Sequence, residues 1–370
     1  METYIPACPH CGSEKIRPHG SVREKPRWEC QICKKKTHYP IRKEDIEIVT
    51  KSVKLAKQKQ YFEDTNRIER KTFRRSARID NALQKIYVSL MHLIESKNIS
   101  KQVITHNKMA GDVILVVQVS DTHMNEVVDL ANNKYDLDIA RSRLGAYADK
   151  VLQYAKMHMV QKIIVTFTGD QVNSDRRVDE MLSMATARAK AMFIAMDAFK
   201  DFIFKLNTKY NIEVASVTGN ESRLSQEQGW SQLSACENYD YIIHEGLKRI
   251  LEGKKGIVFL PNDDPQEQVI RVYDKNILIL HGYNLGKDTI KAIQQLKGKW
   301  ATRGTVINYV LFGHEHEAYI SDMFARSASL AGSNGYSDKF MHVDSRASQN
   351  LHIVYKEGYI DNIKIDLQEV

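Results

Sequence analysis

The chain has 370 residues, 42% hydrophobic and 27% charged, enough for one sizeable core plus a smaller module. Its longest apolar run, Val113–Val117, falls far short of the roughly 20 residues that a membrane-crossing helix needs. The net charge of +8 is unevenly spread, because residues 1–110 carry 24 Lys+Arg against 12 Asp+Glu, leaving 30 of the 54 basic and 34 of the 46 acidic side chains to the rest. A basic arm on a mildly acidic body suits a polyanionic partner, and nucleic acid is favoured over a merely solvated charged face. Met1-Glu2-Thr3-Tyr4 has no basic-then-apolar signal pattern, so the expectation is a soluble protein kept in the cytoplasm where it is made.

Residues 1–42 read as a zinc ribbon. Cys8-Pro9-His10-Cys11 and Cys30-Gln31-Ile32-Cys33 form two C-x2-C pairs at the spacing of a four-thiolate site. Tetrahedral zinc takes two thiolates from each tight knuckle, so Cys8, Cys11, Cys30 and Cys33 are the structural ligands expected. His10, His19 and His38 are spare donors that four cysteines make unnecessary, and two disulfides are the disfavoured alternative. The stretch resembles the zinc ribbons that open many transposases and phage replication proteins. Such ribbons bind DNA or a partner protein, or cap a fold. Lys34, Lys35 and Lys36 follow the second pair and are candidate nucleic-acid contacts.

Residues 43–110 read as a basic helical segment and linker. A helical hairpin is expected over Ile46–Phe62 and Ile68–Ser96, with Ile79, Leu83, Ile86, Leu90 and Leu93 stepping at the spacing of an apolar stripe. Arg67, Arg70, Lys71, Arg74, Arg75 and Arg78 cluster just ahead of that stripe as further candidate nucleic-acid contacts. The opposing reading makes this helix a dimer or body-packing element whose arginines are only solvated. Residues 98–111 are the expected linker.

From residue 111 the pattern alternates. β-type runs at Val113–Val119, Ile163–Phe167, Val214–Val217, Ile257–Leu260, Val269–Val272, Ile277–Leu280 and Val306–Phe312 are interleaved with helical stretches at Ile139–Met159, Val178–Leu206 and Tyr239–Leu251. This predicts a layered α/β body with its sites at the carboxyl ends of strands. Five motifs fall at such ends: Asp121-Thr122-His123, Gly169-Asp170, Gly219-Asn220, His281-Gly282 and Gly313-His314-Glu315-His316. Singly each is weak, but five in order, each after a strand, are not coincidence. Carboxylate, amide and imidazole donors without thiolate favour Mn²⁺, Fe or Zn over Ca²⁺. Two such ions would leave a positive surplus that attracts phosphate and acidifies water. Cys236 is expected to be a core thiol without chemistry.

These motifs resemble the signature of the calcineurin-like metallophosphoesterase superfamily over about residues 112–355. The resemblance implies a four-layer αββα sandwich, here preceded by a zinc ribbon and a helical segment. It implies that Asp121, His123 and His316 hold one metal, that Asn220, His281 and His314 hold the second, and that Asp170 bridges them. Asn66–Lys71 and Tyr135–Ala140 are also similar to phage-encoded members, for which the compartment would be the host cytoplasm. One departure stands out: where the family has G-N-H, this chain reads Gly219-Asn220-Glu221-Ser222. An ionised Glu221 would repel phosphate, yet it could protonate a leaving oxygen if burial raised its pKa. Arg176 and Arg177 are within sequence reach of a phosphate.

The leading expectation is a two-metal phosphodiesterase that cuts DNA through a metal-bridging hydroxide, similar to the nuclease subunits of double-strand-break repair complexes. Asp170, Asn220, Glu221 and His281 are its catalytic candidates, two Mn²⁺ (or Fe or Zn) its active-site ions and one Zn²⁺ its structural ion. The resemblance also suggests a homodimer. Two other functions compete with this one: a phosphodiesterase for a cyclic or dinucleotide, and a catalytically weak module that recruits DNA or a partner.

Overall fold

The computed structural model describes residues 6–22, 25–38, 40–42, 54–60, 63, 111–224, 235–335 and 345–370. The chain divides into two compact units, Met1–His92 and Leu93–Val370. Helix is described at 54–60. The remainder of the expected hairpin, the Ile79–Leu93 stripe, the linker, and Arg67, Arg70, Lys71, Arg74, Arg75 and Arg78 lie outside the described residues. Among the described residues no helix is long and apolar enough to cross a membrane.

In the first unit β1 (Pro6–Ala7) pairs with β5 (Ile41–Arg42), while β2 (Ile16–Val22), β3 (Lys25–Cys30) and β4 (Lys36–Thr37) form an antiparallel sheet. Two matching knuckles face each other. Gly12 N–H donates to Cys8 O at 2.8 Å and Lys34 N–H to Cys30 O at 3.0 Å. Gly12 and Lys34 both take left-handed torsions, φ 74° and 59°, as the turn after each C-x2-C requires. The four thiol sulfurs lie within 4.8 Å of one another, a grouping that fits a zinc ribbon. Cys30→Ser is expected to lower bound zinc by about one ion per chain, read by elemental analysis; unchanged zinc content would rule out this site.

The second unit opens with β6 (Val113–Val119), a ribbon of β7 (Val128–Asp129) and β8 (Lys134–Tyr135), helix α1 (Leu137–Met157) and β9 (Lys162–Phe167). It continues through α2 (Val178–Leu182), α3 (Arg188–Asn207), β10 (Asn211–Ser216), α4 (Tyr239–Leu251) and β11 (Ile257–Phe259). Then come β12 (Glu267–Val272), β13 (Lys275–Leu280), α5 (Thr289–Thr302), β14 (Tyr309–Phe312), β15 (Tyr319–Ile320) and β16 (Phe324–Arg326). Strands β17 (Ser348–Tyr355) and β18 (Ile360–Asp366) close the chain.

These strands build two sheets, ordered β11-β10-β9-β6-β17-β18 and β12-β13-β14-β16-β15. Alternation along each strand decides which side faces what. Ile114, Val116, Ile164 and Ala215 of the first sheet pack against Ile270, Ile277, Ile279 and Leu311 of the second. The opposite face of the second sheet (Leu278, Leu280, Val310, Phe312) packs on Ile293 of α5. Behind the first sheet, Phe199 of α3 meets Phe167 of β9 at 5.0 Å between ring centres, and Tyr147 of α1 stacks on Phe202 of α3 at 5.7 Å. The result is helix, sheet, sheet, helix: the four-layer sandwich.

Several elements depart from the sequence expectation. The stretch read as one helix over Val178–Leu206 is two, because Ala185 N–H donates to Asn125 O (2.8 Å) and Val127 N–H to Ser183 O (2.7 Å), pulling residues 183–187 out of the helix. Helix α5 and the strands β17 and β18 had no counterpart in the reading. β17 places polar side chains inside the sheet: Asn350 Nδ2 donates to Arg326 O at 3.0 Å, and His352 Nδ1 lies 2.6 Å from Asn362 Oδ1.

His352 carries a pH consequence. Burial pushes its imidazole down to about 4, only partly offset by Asn362, against an ordinary 6.5. Below 6.5 the unfolded chain takes up a proton that the folded chain refuses, so the stability present above 6.5 is lost as pH falls toward about 4. His352→Gln should flatten the melting-temperature-versus-pH curve between those values; an unaltered slope would remove His352 from the acid response.

Candidate metal centre

Every ligand turn leaves the carboxyl end of a strand. β6, β9 and β10 run parallel and deliver Asp121, Asp170 and Asn220 to one edge, while parallel β13 and β14 deliver His281 and the His314–His316 pair. Main-chain bonds then clamp turn to turn. Asp121 N–H donates to Gly169 O at 3.0 Å, His123 N–H to Asp170 O at 3.1 Å, and Gly313 N–H to His281 O at 2.9 Å. Among the described residues eight non-glycines have left-handed torsions, and five are candidate ligands: Asp121 (φ 47°), His123 (41°), Asp170 (54°), His314 (75°) and His316 (57°). Such torsions cost about 1–3 kcal/mol each and persist only where the surroundings over-determine them.

The side chains converge in two groups, Asp121–His123–His316 and Asp170–His281–His314, each with donor atoms within 4.8 Å of one another. Asn220 joins the second, its Oδ1 2.9 Å from His281 Nε2. The imidazoles divide as the resemblance implies, and Asp170, which it places between the two ions, groups here with His281 and His314. Asp170 Oδ2 lies 2.8 Å from His281 Nε2, and Asp121 Oδ1 lies 3.3 Å from His316 Nε2. Two stacked sheets between helices, with these side chains gathered at their strand ends, are what the resemblance to the calcineurin-like metallophosphoesterases implies.

Three solved structures are similar to the chain at low sequence identity. A zinc-bound Vps29 from Entamoeba histolytica is 12% identical, covering 68% of this chain and 99% of that one, with a TM-score of 0.31. A predicted phosphoesterase from Streptococcus pneumoniae is 11% identical over 68% and 98%, with a TM-score of 0.28. The calcineurin-like phosphoesterase YfkN from Bacillus subtilis is 10% identical over 69% and 91%, with a TM-score of 0.33. No family model matches the chain, and no curated protein matches its sequence.

The donors fit a pair of divalent ions. His123 Nε2 and His316 Nε2 face each other at 3.0 Å, an approach that two neutral acceptors would resist and a shared cation or proton relieves. His281 Nδ1 lies 2.8 Å from Thr168 O, a contact that makes Nδ1 the donor and leaves Nε2 free to ligate. Burial alone would lower the His281 imidazole, yet the Asp170 carboxylate outweighs it and lifts the group to about 10. Burial likewise opposes ionisation of Asp170, but His281 holds that carboxyl well below its usual range. Burial and then the neighbouring His281 push His314 down to about 4. A site that draws positive charge to its carboxylates this strongly suits cations.

Asp240, at the start of α4, is the residue the sequence reading missed. It is fully buried, and its carboxylate accepts from Asp170 N–H (2.8 Å), Gln171 N–H (2.9 Å) and Gly219 N–H (2.8 Å), bolting the turns of β9 and β10 together. Burial and then the nearby Asp170 raise its carboxyl to about 6. An acidic residue in a helix's first turn is ordinary, so the sequence had no signal to single it out. Asp240→Asn keeps the shape but turns one acceptor into a donor facing an N–H. Metal affinity should fall about 10–100-fold, the usual effect of removing such a support. Titration calorimetry with Mn²⁺ checks this, and wild-type affinity would sink it.

The motif Tyr135-Asp136-Leu137-Asp138 also gains a meaning. Tyr135 Oη donates to Thr122 O, between two ligands, and Asp136 caps α1 by accepting from Asp138 N–H (3.0 Å) and Ile139 N–H (2.9 Å). Glu221 sits beside the centre in an ion pair with Arg176, Oε2 to Nη2 at 3.0 Å. Its other oxygen accepts from Asn220 Nδ2 at 2.8 Å, which turns the amide oxygen of Asn220 toward His281. Arg177 instead pairs with Glu180 at 2.6 Å. Lys34, Lys35 and Lys36 are exposed in the first unit. Cys236 is half-buried, short of the core position expected.

Proposed function

We propose that the protein is a two-metal phosphodiesterase that cleaves DNA. The observation that carries the phosphodiesterase reading is the paired convergence of Asp121–His123–His316 and Asp170–His281–His314 from the strand ends of the two sheets. When bound there, two divalent ions supply Lewis acidity toward a phosphoryl oxygen and make water acidic near neutral pH. The chain's own residues do the rest. Asp121 and Asp170 set the charge of the cage, and main-chain N–H groups hold each in place: His314 to Asp121 at 3.1 Å, Glu221 to Asp170 at 2.7 Å. Thr168 O fixes the tautomer of His281, and Glu221 fixes the amide of Asn220.

Glu221 replaces the histidine of the G-N-H pattern, and its carboxylate is committed to Arg176 and Asn220. We assign it an orienting role in place of leaving-group protonation. DNA as the polymer is supported by the charge surplus of residues 1–110, by the exposed Lys34–Lys36 run and by a cysteine cluster of ribbon type. The test is a plasmid and oligonucleotide cleavage assay with full-length protein and Mn²⁺. Cleavage is expected from the wild type and not from Asp121→Ala, and equal cleavage by both would end the proposal.

A further inference from the structure

We propose that Arg176 and Arg223 form a second anion subsite beside the metal pair, which takes the phosphate next to the one being cut. The proposal rests on the phosphodiesterase reading and narrows its substrate to chains with at least two neighbouring phosphates. Among the described residues, Nη1 of Arg176 and Nε of Arg223 are buried nitrogens with no hydrogen-bond partner. A buried donor on a cationic group without an acceptor is costly, and a phosphate oxygen is the acceptor that matches a guanidinium in both charge and shape.

The local charge balance favours an incoming anion. Arg176 pairs with Glu221 at 3.0 Å and Arg223 follows two residues after Glu221, so both cations flank one short segment; burial and then the charge of Arg176 depress the guanidinium of Arg223. Glu221, the carboxylate they share, is already shared with Asn220. Asp175 is taken by Arg188 at 2.8 Å, and Glu180 by Arg177. Arg188 differs in its burial and in the use of its guanidinium: its Nε also lacks a partner, but it lies over the Tyr239 ring and gives its Nη2 to Glu221 O (2.7 Å) and Arg223 O (2.9 Å). That arrangement anchors the backbone of residues 221–223, which carries Arg223.

The subsite lies next to the metal ligands. Arg176 pairs with Glu221 at 3.0 Å, and Glu221 in turn donates its N–H to Asp170 at 2.7 Å and accepts from Asn220 Nδ2 at 2.8 Å. A mononucleotide ester has one phosphorus to offer the ions and nothing for the arginines. A nucleotide strand offers both.

The test uses Mn²⁺-loaded full-length protein and titration calorimetry, with thymidine 3′,5′-bisphosphate and thymidine 5′-monophosphate as probes. The wild type is expected to prefer the bisphosphate by about tenfold or more, the usual weight of one or two charge-assisted hydrogen bonds. Arg223→Gln and Arg176→Gln should each shrink that preference, and Arg223→Lys should retain part of it. Taking the ratio of the two affinities within each variant cancels any general weakening of the centre. No preference in the wild type, or a preference that survives both glutamine variants, overturns the subsite. A bisphosphate preference in a protein that cuts no oligothymidylate would overturn the nuclease reading alone.

Discussion

Asp170→Ala is expected to reduce Mn²⁺-dependent hydrolysis of bis-p-nitrophenyl phosphate by about a thousandfold or more, the scale of losing charge stabilisation at the reacting centre. The expectation follows from where Asp170 stands. Its Oδ2 is 2.8 Å from His281 Nε2, its Oδ1 accepts from Glu221 N–H at 2.7 Å, and its main-chain N–H is bound by Asp240 at 2.8 Å. Truncation removes the anion that balances His281 and the acceptor that seats the turn carrying Asn220. Two measurements separate these effects. Elemental analysis should show metal lost from the body with the zinc of the ribbon retained, and initial rates should fall with it. A variant within tenfold of wild type would mean that Asp170 is not part of the working centre.

Gly219→Ala is expected to be nearly as damaging, although it removes nothing. A Cβ built on Gly219 would stand 2.0 Å from Asp170 Oδ1 and 2.4 Å from Asp170 N. One of these atoms belongs to the main chain, and Asp240 ties both turns to a single carboxylate, so neither turn can withdraw alone. The turns must part by a fraction of an ångström to an ångström, and displacement on that scale costs about 100-fold in rate. Overpacking should also lower the melting temperature, by about 1–3 kcal/mol of stability. Steady-state kinetics and thermal melts on the same sample test both halves. Wild-type kinetics would show that the two turns move independently.

Much of the centre was legible because a metal cage makes local demands. Each ligand must sit within a few residues of a strand end, so Asp121, Asp170, Asn220, His281, His314 and His316 each carry their position in their neighbours. The inner strands β6, β9, β13 and β14 were legible for a similar reason: they are buried on both faces and read as continuous apolar runs. β17 obeys the opposite logic. Seven of its eight residues are buried, yet Ser348, Gln349, Asn350 and His352 look like loop, because what satisfies them lies on other segments, from Asn362 and Arg326 to Gln118 more than 200 residues away in the chain. Helix α5 buries Ile293 and leans Leu296 and Trp300 on the second sheet, a stripe too thin to stand out among its polar neighbours. Asp240 was illegible because its task is to hold three N–H groups of other segments.

The twisted backbone at Asp121, His123, Asp170, His314 and His316 has one more consequence. Bonds such as Asp121 N–H to Gly169 O hold these torsions in place. Loosening one turn would let its backbone relax toward commoner angles and swing that donor out of line with the others. The cage is therefore sensitive to substitutions at positions that never touch an ion.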